Sequence, residues 1–233
     1  MSIYAIGDLH LSLGTDKPMD VFAGWNGYVE RIAEGWKSQI KSEDTVVLAG
    51  DTSWAMSLQN TLDDFKFIND LPGHKYIIKG NHDYWWNSKT KMEAFFDENG
   101  LDTLHILHNS AVKAEGLVLC GTRGWLFEKG APHDKKISLR EAARLQMSFD
   151  AAKSMSGERV VFLHYPPVYC DDILPEIVDV MLKNGVKRCF YGHIHSTGCV
   201  YALNGEYLGI DFRLISSDFL NFKPIKIAQI LEI

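Results

Sequence analysis

The chain has 233 residues, 46% of them hydrophobic, 12% aromatic and 23% charged, which excludes a disordered or collagen-like chain. Acidic side chains outnumber basic ones, 30 to 24, for a formal charge of −6; this argues against a nucleic-acid partner, whose phosphates it would repel. The longest apolar runs, around Val46–Ala49 and Val160–Leu163, are far too short to cross a bilayer. No secretory signal follows Met1, and Cys120, Cys170, Cys189 and Cys199 form no CxxC pair. The expectation is a cytoplasmic chain with reduced, mostly buried thiols and one domain over residues 1–233.

In chain order, short β-branched or aromatic runs that read as strands buried on both faces each end in a polar turn. Ile3–Ile6 runs into Gly7-Asp8-Leu9-His10. A helical face follows in Trp25, Tyr28, Val29, Ile32, Trp36 and Ile40. Thr45–Ala49 leads to Gly50-Asp51, with a second helical face in Leu58, Leu62, Phe65 and Ile68. Lys75–Lys79 leads to Gly80-Asn81-His82-Asp83. His105 and His108 alternate with apolar neighbours like polar-face strand residues, and a strand at Leu117–Cys120 precedes Arg123. Ser138 and Glu141 read as a capping box heading a helix with Ala142, Leu145 and Phe149.

Arg159–Leu163 leads to His164-Tyr165-Pro166-Pro167; a helix over Ile173–Asn184 stops at Gly185. Lys187–Tyr191 leads to Gly192-His193-Ile194-His195. Asn204-Gly205 signals a hairpin between Cys199–Leu203 and Glu206–Ile210, and Ile225–Ile233 alternates like a strand. The fold class is α/β with an antiparallel C-terminal portion.

Ligands of open α/β sheets bind beyond the carboxyl ends of the strands. Five such ends carry Asp8, His10, Asp51, Asn81, His82, His164, His193 and His195. Imidazoles mixed with carboxylates suit divalent transition metals, whereas all-oxygen sites suit Mg²⁺ or Ca²⁺. Asp8 and His10, two apart at a strand end, can converge on one ion, and so can His193 and His195. One carboxylate such as Asp51 can bridge two ions. Each fragment alone is worth little; five in order are not chance.

The ordered set GDLH, GD, GNHD, HYPP and GHIH, from Asp8 to His195, resembles the calcineurin-like metallophosphoesterase superfamily. The resemblance implies a two-sheet β-sandwich flanked by helices, in four αββα layers, and two divalent ions (Mn, Fe or Zn). It implies that Asp8, His10, Asp51 and His195 hold one ion and that Asp51, Asn81, His164 and His193 hold the other. It also implies that a metal-bridging hydroxide attacks phosphorus, while His82, not a ligand, faces the substrate and protonates the leaving oxygen. Asp83 either orients the His82 ring or is a simple turn acid.

Trp54, Trp85 and Trp86 stand near these turns and can either stack on a substrate ring or pack the loops. Arg123 can fork onto a phosphate or anchor a carboxylate. The loop Glu128–Lys136, with His133, Lys135 and Lys136, reads as a solvated insertion or a lid. The residues after Asp51, Thr52-Ser53-Trp54, lack the Asp-Arg-Gly of phosphoprotein phosphatases. The expected substrate is therefore a small phosphate monoester or diester. The alternatives are a Ser/Thr phosphoprotein phosphatase and a non-catalytic protein-binding scaffold.

Overall fold

The computed structural model describes residues 1–125, 135–170 and 172–227. One sheet holds β1 (Ile3–Ile6), β2 (Thr45–Leu48), β3 (His74–Ile77), β4 (Leu104–Ile106) and β13 (Ile225–Lys226), in the order β13-β1-β2-β3-β4. The first four are parallel, and β13 closes the edge antiparallel to β1. A second sheet holds β5 (Ser110–Ala114), β6 (Leu117–Thr122), β7 (Glu158–Leu163), β10 (Arg188–Tyr191), β11 (Gly205–Tyr207) and β12 (Ile210–Leu214). Its order is β11-β12-β10-β7-β6-β5, parallel inside and antiparallel at both edges. A small ribbon pairs β8 (Val168–Tyr169) with β9 (Asp172–Ile173).

The strands are apolar on both faces because both faces are covered. Alternate residues of one strand serve two cores. Ile3 and Ala5 of β1, Val47 of β2 and Val160 and Phe162 of β7 fill the space between the sheets. Tyr4, Ile6, Val46 and Leu48 face outward onto α1 (Tyr28–Lys37), α2 (Leu62–Asp70) and α3 (Lys89–Glu98). Val161 and Leu163 face outward onto α4 (Lys135–Ala151) and α5 (Pro175–Lys183). The result is the four-layer αββα sandwich expected from the sequence. Among the described residues no helix is long and apolar enough to cross a membrane.

Several element readings shift. Trp25 precedes α1, and Leu58 leads into a short 3₁₀ turn, Gln59–Thr61, rather than into α2 itself. The α3 helix, capped by the Ser88 hydroxyl accepting from the Lys91 N–H, was not expected. Ser138 is not a cap: α4 already runs from Lys135, and Ser138 and Glu141 are buried inside it. Ile173 lies in β9, outside α5.

The hairpin turns four residues later than Asn204-Gly205. Residues Ser196–Tyr201 form a 3₁₀ helix, and Leu208-Gly209, both at positive φ, join β11 to β12. Asn204 instead accepts the Leu214 N–H through Oδ1 at 2.9 Å. Cys120 and Cys189 are buried as expected, but Cys170 is exposed. The expected strand from Ile225 is described only to Lys226, and residues 228–233 lie outside the described set, as do 126–134 with His133.

Candidate metal centre

Parallel register brings the carboxyl ends of β1, β2 and β3 to one rim, and those of β7, β10 and β12 to another. The rims meet. The Gly7 N–H donates to the Ile215 carbonyl at 2.7 Å, and the Ser217 N–H donates to the Gly7 carbonyl at 3.0 Å. Motifs from both sheets therefore face one another.

Beyond the strand ends the backbone leaves extended geometry at chosen residues. Asp8 (φ 59°), His10 (φ 47°), Asp51 (φ 48°) and His193 (φ 73°) all occupy the left-handed region. For a residue with a side chain this costs of the order of 1–3 kcal/mol, and it is held only where the surroundings over-determine it. Hydrogen bonds supply that restraint: Asp8 N–H to the Gly50 carbonyl at 2.9 Å, and His10 N–H to the Asp51 carbonyl at 2.9 Å. Two glycines are required by close approach. A Cβ on Gly80 would collide with Oδ1 and the amide nitrogen of Asp51, and one on Gly192 would collide with Asp8 Oδ2.

The ligand atoms form two groups, Asp8–His10–His195 and Asp51–His164–His193, each with its atoms within 4.8 Å of one another. His193 and His195, which the spacing alone allowed on one ion, fall in different groups, because the left-handed turn at His193 aims the two rings apart. In the first group, His10 Nε2 and His195 Nε2 face each other at 3.4 Å, and His195 Nε2 lies 3.4 Å from Asp8 Oδ1. Asp51 Oδ2 stands between the groups, 3.9 Å from His10 Nε2 and 3.5 Å from His164 Nε2.

The tautomers show what this arrangement is suited to hold. His164 Nδ1 lies 3.0 Å from the Ala49 carbonyl, which can only accept, so Nδ1 carries the proton and Nε2 presents a lone pair. That lone pair points at Asn81 Oδ1, 2.6 Å away, another acceptor. His195 Nδ1 is likewise turned to Asp218 Oδ1 at 2.8 Å, leaving Nε2 for the cluster. Lone pairs converging at these distances repel unless a cation lies among them, and the mixed nitrogen and oxygen donors fit a transition metal.

The charge balance agrees. Burial, then the Asp8 carboxylate, pushes Asp51 up to about 8. Burial, with His164 adding to it, drives His193 down to about 3, the neutral form a ligand needs. At Asp8 burial is outweighed by His195, His164 and His10, which hold its carboxyl below the usual range. At His195 burial favours the neutral ring, but Asp8 and Asp218 override it and raise the ring to about 10. The carboxylates draw in positive charge wherever they find it.

The remaining sequence candidates divide. His82 is half-buried at the same rim, its ring centre 4.4 Å from that of Trp54 and 5.9 Å from that of His10, with Nδ1 free of any hydrogen bond. Asp83 does not orient it. The Asp83 carboxylate is buried and accepts the N–H groups of Asp51 (3.0 Å), Thr52 (2.9 Å) and Gly80 (2.7 Å), and the Trp85 indole N–H (3.1 Å). It staples two loops, with burial and then Asp51 pushing it up to about 7.

Trp54 lies at the site, stacked on His10 at 4.9 Å. Trp85 does not: it is 1% exposed and packs edge-on against Phe65, so it cannot reach a substrate. Trp86 packs against Trp85 and His108. The Arg123 carbonyl accepts the His164 N–H at 3.1 Å, while its guanidinium turns to Glu141 at 3.8 Å. Two neighbours escaped the sequence reading. Asp218 follows no strand-end motif, and Trp25, edge-on to His10 and His195, looked like an ordinary helix-face residue.

Comparison with known proteins matches this geometry to a family. The model of the calcineurin-like phosphoesterases matches residues 1–197. No curated protein matches the chain. A solved protein of unknown function from Aquifex aeolicus is 17% identical with a TM-score of 0.54, covering 99% of this chain and 98% of its own. A phosphopantetheinyl hydrolase from Mycobacterium tuberculosis is 14% identical with a TM-score of 0.57, covering 97% and 95%. At such identities the two share the fold and no more. The family match extends over all five motifs, and the chain belongs to the calcineurin-like phosphoesterases, metal-dependent hydrolases of phosphate esters.

Proposed function

We propose that the protein is a dinuclear-metal phosphohydrolase of a small phosphate monoester or diester. The observation that carries this reading is the facing of acceptor atoms in two groups with Asp51 Oδ2 between them. Asp8, His10 and His195 would hold one divalent ion, His164, His193 and Asn81 the other, and Asp51 both. Four imidazoles among these donors favour Mn, Fe or Zn over Mg or Ca. When bound, the ions supply Lewis acidity that activates water and neutralises phosphoryl charge.

The chain's own residues do the rest. Asp218 and the Ala49 carbonyl fix the tautomers of His195 and His164, so both rings present Nε2. His82, held at the rim through its backbone N–H to Asp51 Oδ1 at 2.8 Å, stands outside both ligand groups and would protonate the departing alkoxide. Trp54 walls this side and excludes water from the leaving group. Purified protein should carry close to two equivalents of transition metal. It should hydrolyse nitrophenyl phosphate or its diester with Mn²⁺, and chelation should abolish both. A chain that binds no stoichiometric metal and hydrolyses neither ester would be the scaffold alternative instead.

A further inference from the structure

Beside Tyr165, which packs on His193, the chain gathers cations. Lys79 immediately precedes GNHD, Arg123 follows β6, and Arg140 and Arg144 lie one turn apart on α4. All three arginines turn to one buried carboxylate oxygen, Glu141 Oε1, at 3.8, 3.2 and 2.7 Å. Among the described residues no other carboxylate lies within ion-pair distance of them. The positive excess is local, in a chain of net charge −6.

Three of these cations, all but Arg140, also neighbour His108. Burial, then Arg144, Lys79 and Arg123, pushes His108 down to about 3. His108 Nδ1 and Arg123 Nε are buried without hydrogen-bond partners. Arg140 and Arg144 remain 52% and 37% exposed, so an arriving anion can reach them. The cluster adjoins the metal centre. The Arg123 guanidinium lies 6.0 Å from the centre of the Tyr165 ring, which in turn lies 4.4 Å from that of His193.

We infer that Lys79, Arg123, Arg140 and Arg144 form a subsite for a second phosphate of the substrate, carried on a different carbon from the phosphate that is cleaved. The inference rests on the phosphohydrolase reading. Guanidinium forks match phosphate oxygens, and the Tyr165 ring, in contact with both Arg123 and His193, suits phosphates on separate carbons better than a pyrophosphate.

The test measures kcat/KM with Mn²⁺ for glucose bisphosphate and a nucleoside bisphosphate against their monophosphates. At least one bisphosphate should be favoured tenfold or more through KM, and in the double variant Arg140→Gln, Arg144→Gln that ratio should fall toward one. Equal turnover of bisphosphates and monophosphates overturns the subsite, as does a preference that survives in the double variant. An equal preference for a phosphoester carrying a carboxylate overturns the phosphate assignment. No hydrolysis of any ester, nitrophenyl phosphate included, overturns the subsite together with the reading beneath it.

Discussion

The two ligand groups are alike in composition and unlike in support. Behind Asp8–His10–His195 stand a carboxylate, Asp218, and two indoles, Trp25 and Trp54, against the His10 ring. Behind Asp51–His164–His193 stand a backbone carbonyl, an amide and the Tyr165 ring. A carboxylate partner makes an imidazole a stronger donor than a carbonyl does. The first group would therefore be the tighter site, although both are buried alike, and the second is the one that looks toward the cationic flank.

Removing what the two groups share should erase the difference. Asp51→Asn leaves Asp51 Oδ2, the oxygen nearest both groups, without its full charge. Activity should vanish and metal content should fall at both sites. Two retained equivalents with near-normal turnover would show that Asp51 does not bridge.

His82 tests the boundary between ligand and acid. Its ring makes no hydrogen bond through Nδ1 and belongs to neither group, so His82→Gln should lower kcat by ~10²–10⁴-fold with metal content unchanged. The loss should be smaller for nitrophenyl esters, whose leaving group needs little protonation. Equal losses for nitrophenyl and alkyl esters, or loss of metal, would remove its acid role.

Asp218 should separate the two groups. Asp218→Asn keeps the size of the side chain and removes the charge behind His195. Metal affinity is expected to fall ~10–100-fold at the first group only, read as biphasic release during chelation. A uniform fall at both would mean that Asp218 merely supports the loop.

How much of this was legible in the sequence follows from what each feature depends on. Strands buried on both faces leave continuous apolar runs, so β1, β2, β7 and β10 and the motifs after them could be read directly. The split of His193 from His195 came from the family resemblance and not from spacing, because it depends on a positive φ that neither residue type announces. Asp218 is 23 positions beyond His195 and meets it only once β12 has aligned with β10. Asn204-Gly205 misled because a local turn signal competes with register. There the parallel pairing of β12 with β10 decided where the chain could reverse.

The smallest effect concerns the tryptophans, which the sequence placed together and the structure separates. Trp54 stacks on His10 with its planes 23° apart and tilts over His82; Trp85 is enclosed by Phe65 and the Asp83 staple. Trp54→Leu removes a ring contact worth ~0.5–1.5 kcal/mol, which is roughly a two- to tenfold loss in kcat/KM if all of it is expressed in the transition state. Stability should barely change, because Trp54 is partly exposed. Trp85→Leu should do the reverse: a void in the core and one lost hydrogen bond to Asp83 cost about 2–4 kcal/mol of stability. Its activity per folded, metal-loaded molecule should stay within a fewfold of the parent. Thermal melts beside kinetics on both variants decide the matter. If Trp85→Leu lost catalysis without losing stability, Trp85 would belong to the substrate after all, and the packing of the loop behind GNHD would have to differ from the one described.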